Sequence, residues 1–186
     1  MGVMKSYLKP IVAAAFAAIA FLGAAGAQEA SGDDLLAQLR EAGPEEAVRL
    51  EREIRHAWSK SGSAAADLLL KRGRDAMERQ EVHAAIEHFT ALTDHAPDFA
   101  QGWVERARAY AHAELFGPAI GDLEQALALE PAHFQAIMGL ASIMEALDER
   151  EAAHQALQEV EAIHPHHPDL DEAMKRLAPG LSGRSL

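Results

Sequence analysis

The 186-residue chain has no cysteine. That excludes disulfides, thiolate metal or redox centres, and a lipid-modified cysteine near the N-terminus. Stability must therefore come from packing alone. Basic residues are also scarce: 17 Lys and Arg face 29 Asp and Glu, a formal charge of −12. Such a surface disfavours nucleic acid and anionic lipid. The signatures of catalysis are missing too. There is no H-E-x-x-H, no G-x-S-x-G, no Gly-Lys phosphate loop and no paired-glycine strand turn. The many carboxylates are spaced as on solvated helix faces. No enzymatic activity and no cofactor are expected.

What is present begins with a distinctive N-terminus. "MGVMKSYLKP" holds Lys5 and Lys9 and no acid, and an uncharged run follows from Ile11. Ala25 to Ala27 then give small residues in an A-x-A pattern before Gln28. A basic head, a short apolar middle and a small-residue cleavage site predict a secretory signal peptide over 1–27. The other reading is a retained membrane tether, although the run is short for a span. Removing the two lysines leaves 15 basic against 29 acidic residues, a charge of −14. Export, with the bacterial periplasm as the setting, is the expected localisation.

The second feature is a 34-residue clock: Pro97, Pro131 and Pro165 are equally spaced. Superposing 66–99, 100–133 and 134–167 aligns Leu69, Trp103 and Ile137, all large and apolar. It aligns Gly73, Ala107 and Ala141, all small, and then Ala76, Tyr110 and Met144. Later in each unit Ala85, Ala119 and Ala153 coincide, then Phe89, Leu123 and Leu157, then Leu92, Ala126 and Val160. Leu69, Gly73 and Ala76 sit at i, i+4 and i+7, one face of a helix, and Ala85, Phe89 and Leu92 repeat that spacing. Each unit is therefore two helices, with small residues where the axes cross. Polar breaks join them, and in the middle unit the break includes Gly117 and Pro118. The closing proline ends the second helix, because the residue before proline is driven out of the α region. A fixed period of this length marks a repeat array.

The pattern resembles the tetratricopeptide repeat family. The match is fullest in 100–133, through Trp103, Ala107, Tyr110, Ala119, Leu123, Ala126 and Pro131. It departs at Arg72 and Arg106, where the family usually has Leu. The resemblance covers 66–167 and implies an all-α, right-handed superhelical stack of antiparallel helix pairs, an α-solenoid with helical caps. It further implies that the first helix of each pair lines a concave groove that holds a peptide or helix of a partner protein. The groove residues would be Leu70, Lys71, Arg74 and Met77, then Val104 and Arg108, then Met138 and Ser142. An apolar row beside a basic row suits a segment with an acidic or C-terminal carboxylate feature. The arginines could equally pair with Glu105 or Glu78 of the protein itself. The carboxylate clamp of one family subset uses Lys and Asn, and Leu70, Arg74 and Glu105 stand at those positions, so that clamp is absent.

Around the repeats, 28–65 predicts an N-terminal helical pair, a divergent repeat or cap whose buried face is Leu50, Ile54, Ala57 and Trp58. Pro44 followed by two glutamates suits a helix start. Residues 28–32 are expected to be disordered, with "SGSAAA" as the joint to the first repeat. Residues 168–178 predict a capping helix on Leu170, Met174 and Leu177, and 179–186 a frayed tail. Trp58 and Trp103 are expected in the core. Among the 10 histidines, His164, His166 and His167 form the densest group. They suggest either a zinc or copper site or simply a helix end followed by a turn.

Overall fold

The computed structural model describes residues 32–181. The signal peptide over 1–27, the expected disorder over 28–31 and the end of the tail from 182 lie outside the described residues. Within them the protein forms nine helices and no strand. Two come first: α1 (Gly32–Glu41), which takes in Gly32 from the segment expected to be disordered, and α2 (Pro44–Trp58). Three pairs follow, α3 (Ala64–Glu78) with α4 (Val82–His95), α5 (Ala100–His112) with α6 (Phe116–Leu129), and α7 (Phe134–Ala146) with α8 (Arg150–Ile163). The last, α9 (Leu170–Leu181), runs three residues beyond its expected end. Among the described residues no helix is long and apolar enough to cross a membrane.

The 34-residue clock is written into the backbone. Ala96, Glu130 and His164 each precede a proline, with φ of −135°, −137° and −139°. The proline ring keeps each of them out of the α region, and each closes a second helix. The turn inside each pair repeats as well. Gln80, Glu114 and Asp148 take φ of 61°, 58° and 61°, the left-handed conformation that ends a helix. The amide of Glu81 then reaches back to the Ala76 carbonyl at 2.9 Å, and that of Leu115 to the Tyr110 carbonyl at 2.9 Å. Gly117 and Pro118 are not part of this turn. They occupy the first turn of α6, where a proline sacrifices no helical hydrogen bond.

The second helices bury the anticipated face. Ala85, Phe89, Leu92, Ala119, Leu123, Ala126, Ala153, Leu157 and Val160 are all essentially inaccessible. In the first helices Gly73, Ala76, Ala107, Ile137 and Ala141 are buried as anticipated, but at the leading position of the first two pairs the buried residue lies one position further along. Leu70 and Val104 are buried, whereas Leu69 and Trp103 are only partly so. A helix packed against its own partner and the next pair buries an arc wider than one i, i+4, i+7 stripe. Trp103, expected in the core, instead packs against its edge from a partly buried position. Its indole N–H donates to the Pro97 carbonyl at 2.8 Å, and its ring lies 4.9 Å from the Arg106 guanidinium. Arg106 is held bidentately by Asp122 at 2.7 and 2.8 Å and donates to Thr93 at 2.8 Å. A cation thus stands where a leucine would be usual, with its charge fully met.

The N-terminal pair departs most from expectation. It does not stack in front of the first repeat. Leu35, Leu36, Leu39, Ala47, Leu50 and Ile54 join one core with Phe134, Leu157, Val160, Leu170 and Leu177. The pair thus folds back onto the far end of the array, and α1 packs on α8. Ala57, expected to be buried, is exposed. Trp58 is partly buried and stacks on His133 with ring centroids 3.9 Å apart.

Two backbone positions separate packing from conformation. A Cβ on Gly73 would lie 2.3 Å from the Phe89 ring, so Gly73→Ala should lower the melting temperature by several degrees through overpacking. Glu114 is exposed at positive φ, so Glu114→Gly should raise it by a degree or more. Thermal denaturation followed by circular dichroism measures both.

Candidate functional site

Two adjoining hollows lie along the first helices. One, of about 580 Å³, has Val104, Ala107, Ala111, Met138 and Ile143 as its apolar surface, with Arg108, His112, Ser142 and Asp169 at its polar margin. The other, of about 480 Å³, is bounded by Arg74 and Met77 of α3 and by Arg52, Arg55, His56 and Ser59 at the end of α2. Gln101, Glu105, Arg108 and Gln135 line both, so the two form one groove.

Glu105 lies at the junction, with its side chain 5% exposed. Arg74 Nε donates to its Oε1 at 2.7 Å, and Gln101 Nε2 donates to the same oxygen at 3.1 Å. Arg108 Nη2 stands 2.7 Å from Oε2, but that oxygen accepts no well-aligned hydrogen bond. One carboxylate thus serves two guanidiniums. Arg74 also reaches Ser59 Oγ with both terminal nitrogens at 3.3 Å. On the other side, Gln101 Oε1 lies 3.2 Å from His133 Nε2. The Gln101 amide already donates to Glu105, so its oxygen must accept and His133 Nε2 carries the hydrogen. His133 in turn lies under Trp58. The contacts form a ring: Ser59, Arg74, Glu105, Gln101, His133, Trp58. It starts and ends at the C-terminal end of α2, and it pins that helix over the repeats.

His133 is fully buried and its Nδ1 has no hydrogen-bond partner. Burial pushes its pKa down from 6.5 to about 4. His164 and His167 shift in the same direction, again chiefly by burial.

The expected groove residues divide. Val104, Arg108, Met138 and Ser142 line the larger hollow, and Arg74 and Met77 the smaller. Leu70 is a correction: it is 3% exposed inside the core beside Phe89 and Leu92 and presents no surface to a partner. Lys71 borders neither hollow and pairs with Asp75 at 2.6 Å. Both arginines pair internally with Glu105, one of the two alternatives the sequence left open. Sequence reasoning missed Gln101, Gln135 and the α2 residues. Gln101 could have been found one helical turn before Val104, but nothing local announces that α2 folds back.

The three clustered histidines do not converge on one point. His164 is buried, with Nε2 3.4 Å from Glu51 and its ring edge-on to His167 at 5.2 Å. His166 is exposed. Among the described residues no group of three or more His, Asp or Glu side chains is placed to hold a metal ion.

No family model matches the sequence. It is 31% identical over 152 residues to a TPR repeat-containing protein of Rhizobium etli, across 81% of this protein and 74% of that one. Solved structures share the fold. The first tetratricopeptide-repeat domain of Spaghetti (RPAP3), bound to an HSP90 peptide, superposes with a TM-score of 0.63 at 22% identity, over 65% of this protein and 96% of that domain. The second such domain of human RPAP3, in complex with an HSP70 peptide, gives 0.56 at 20% identity, over 66% and 97%.

The ring around Glu105 has consequences that unfolding can measure. His133 is neutral when folded, so its contribution is full above pH 6.5 and is lost as pH falls toward 4. By pH 4.5 the loss reaches about 2–3 kcal/mol. The melting temperature should therefore fall by roughly 5–10 °C more in the wild type than in His133→Phe between pH 7 and 4.5. Separately, Arg74→Ala with Arg108→Ala strands a buried carboxylate and should cost about 1–3 kcal/mol. Adding Glu105→Gln, which removes the stranded charge, should restore part of that in urea unfolding.

Proposed function

Because the chain belongs to the tetratricopeptide-repeat family, we propose that it is a protein–protein interaction adaptor whose groove holds an extended or helical segment of a partner. The observation that carries this reading is the groove itself. An apolar hollow and an arginine-rimmed hollow run into one another along the first helices. Apolar side chains of a partner would lie against Val104, Ala111 and Met138. Its acidic groups would turn toward Arg108 and Arg74. The similar domains that carry HSP90 and HSP70 peptides support a peptide as the occupant. They do not extend to chaperone partners here, since Leu70 is buried and Glu105 stands where the clamp needs an amide.

The adaptor is non-enzymatic and works outside the cytoplasm, in the bacterial periplasm. Support for that setting is the basic head, apolar run and A-x-A pattern of residues 1–27. An intact mass that starts at Gln28 would agree with cleavage, and one that retains residue 1 would favour a tether.

The test is affinity capture from an envelope extract with the wild type and with His112→Glu, Ser142→Glu. Both positions are at least partly exposed on the rim of the larger hollow, so folding should persist while the groove gains bulk and negative charge. The wild type should retain a discrete partner and the variant at least about tenfold less of it, the effect of one lost charge-assisted contact. Equal recovery by both proteins, or no partner with either, would remove the groove from the mechanism.

A further inference from the structure

We propose that Arg52 and Arg55 of α2 join Arg74 and Arg108 in a carboxylate-binding site, so that an acidic peptide segment is gripped between the folded-back N-terminal helix and the repeats. The inference rests on the groove reading above and adds the part of the partner that the smaller hollow selects.

The first observation is convergence. Helices α2, α3 and α5 are separate in sequence, yet each brings arginine side chains to the same hollow of about 480 Å³. Four arginines line it against two glutamates, Glu78 and Glu105. The whole protein has a formal charge of −12, so this is a local reversal of sign. The second observation is how weakly the arginines are engaged. Arg52 touches the Val48 carbonyl at 3.4 Å, and Arg55 reaches Glu51 at 3.4 Å, both at the long limit of a hydrogen bond. Arg108 is 52% exposed and is tied to the protein by one terminal nitrogen, 2.7 Å from Glu105 Oε2. Arg74 is the most fully engaged, by Glu105 and Ser59. Three guanidiniums therefore keep donors for an incoming anion. The third observation is continuity. Gln101, Glu105, Arg108 and Gln135 border the apolar hollow too, so an acidic group here would sit beside apolar side chains there. Guanidiniums match carboxylates bidentately, and an exposed cluster of them is attracted most strongly at low salt.

The ligand chemistry is the carboxylate, from Asp or Glu residues or from the C-terminus of a peptide. The probe is a fluorescein-labelled peptide with leucines in its N-terminal half and glutamates in its C-terminal half. It is compared with a glutamine version and with a C-terminally amidated version by fluorescence anisotropy. The purified protein, its Arg52→Gln, Arg55→Gln variant, the His112→Glu, Ser142→Glu variant and an Arg150→Gln control are titrated at low and high salt. The acidic peptide should bind the wild type and the control alike and lose affinity with salt. The Arg52→Gln, Arg55→Gln variant should bind it at least about tenfold more weakly, with unchanged melting, since both residues are exposed. Loss of affinity in the glutamine peptide identifies the glutamates as the source, and loss on amidation identifies the terminus. Retention in both overturns the proposal. Binding lost in His112→Glu, Ser142→Glu but unchanged in Arg52→Gln, Arg55→Gln overturns the arginine site while leaving the groove reading intact. A wild type that captures a partner from extract yet ignores every peptide overturns it as well.

Discussion

The buried Glu105 carboxylate is the constraint on which the site depends. A buried charge is tolerated only when it is paired and hydrogen-bonded. Here that requirement draws in Arg74 from α3, Arg108 from the next turn of α5, and the Gln101 amide. Meeting it fixes the spacing between the first two repeats on their concave side. The same requirement passes outward: Arg74 engages Ser59, and Gln101 orients His133 under Trp58. One unavoidable electrostatic need therefore positions α2 against the repeats. The apolar surface of α1 and α2 supplies the driving force for that docking, and the polar ring supplies its register.

The fold-back has consequences for recognition. In a simple stack of pairs, the groove would be open on its full length. Here α2 forms one wall of the smaller hollow. Residues outside the repeats thereby help define what the repeats can hold. The wall is basic on its groove side and apolar on its other face, which joins the core built around Phe134 and Leu157. A helix with two such faces couples the end of the array, where its apolar residues pack, to the middle of the groove, where its arginines lie.

Much of the scaffold was legible in the residues. Prolines at a fixed interval, small residues at the crossings and large ones between them determined the helix pairs, because helix ends and helix periodicity are local physics. The second-helix core followed position by position. The first-helix core followed in part: Gly73, Ala76, Ala107, Ile137 and Ala141 are buried, but Leu70 and Val104 took the leading buried position in place of Leu69 and Trp103. Those helices are packed on more than one side, and an apolar residue next to the stripe reads the same whether it faces a groove or a neighbour. The candidate site was legible in part for the same reason. Arg74, Arg108, Met138 and Ser142 occupy the groove that the family resemblance implied, but the pairing of both arginines to one shared carboxylate is a three-dimensional fact.

By itself the sequence determined the repeat length, the helix pairs, the all-α class and the faces of the second helices, since each is set by interactions within a few residues or by a fixed periodicity. Only the tertiary structure decided that the N-terminal pair returns to the third repeat, that α2 brings Arg52 and Arg55 to the hollow of Arg74 and Arg108, and that His133 is stacked and sealed beneath Trp58. An amphipathic helix records that it needs an apolar partner, not which one. The choice among distant surfaces is made by shape and by the pairing of buried polar groups, and neither has a local signature in the sequence.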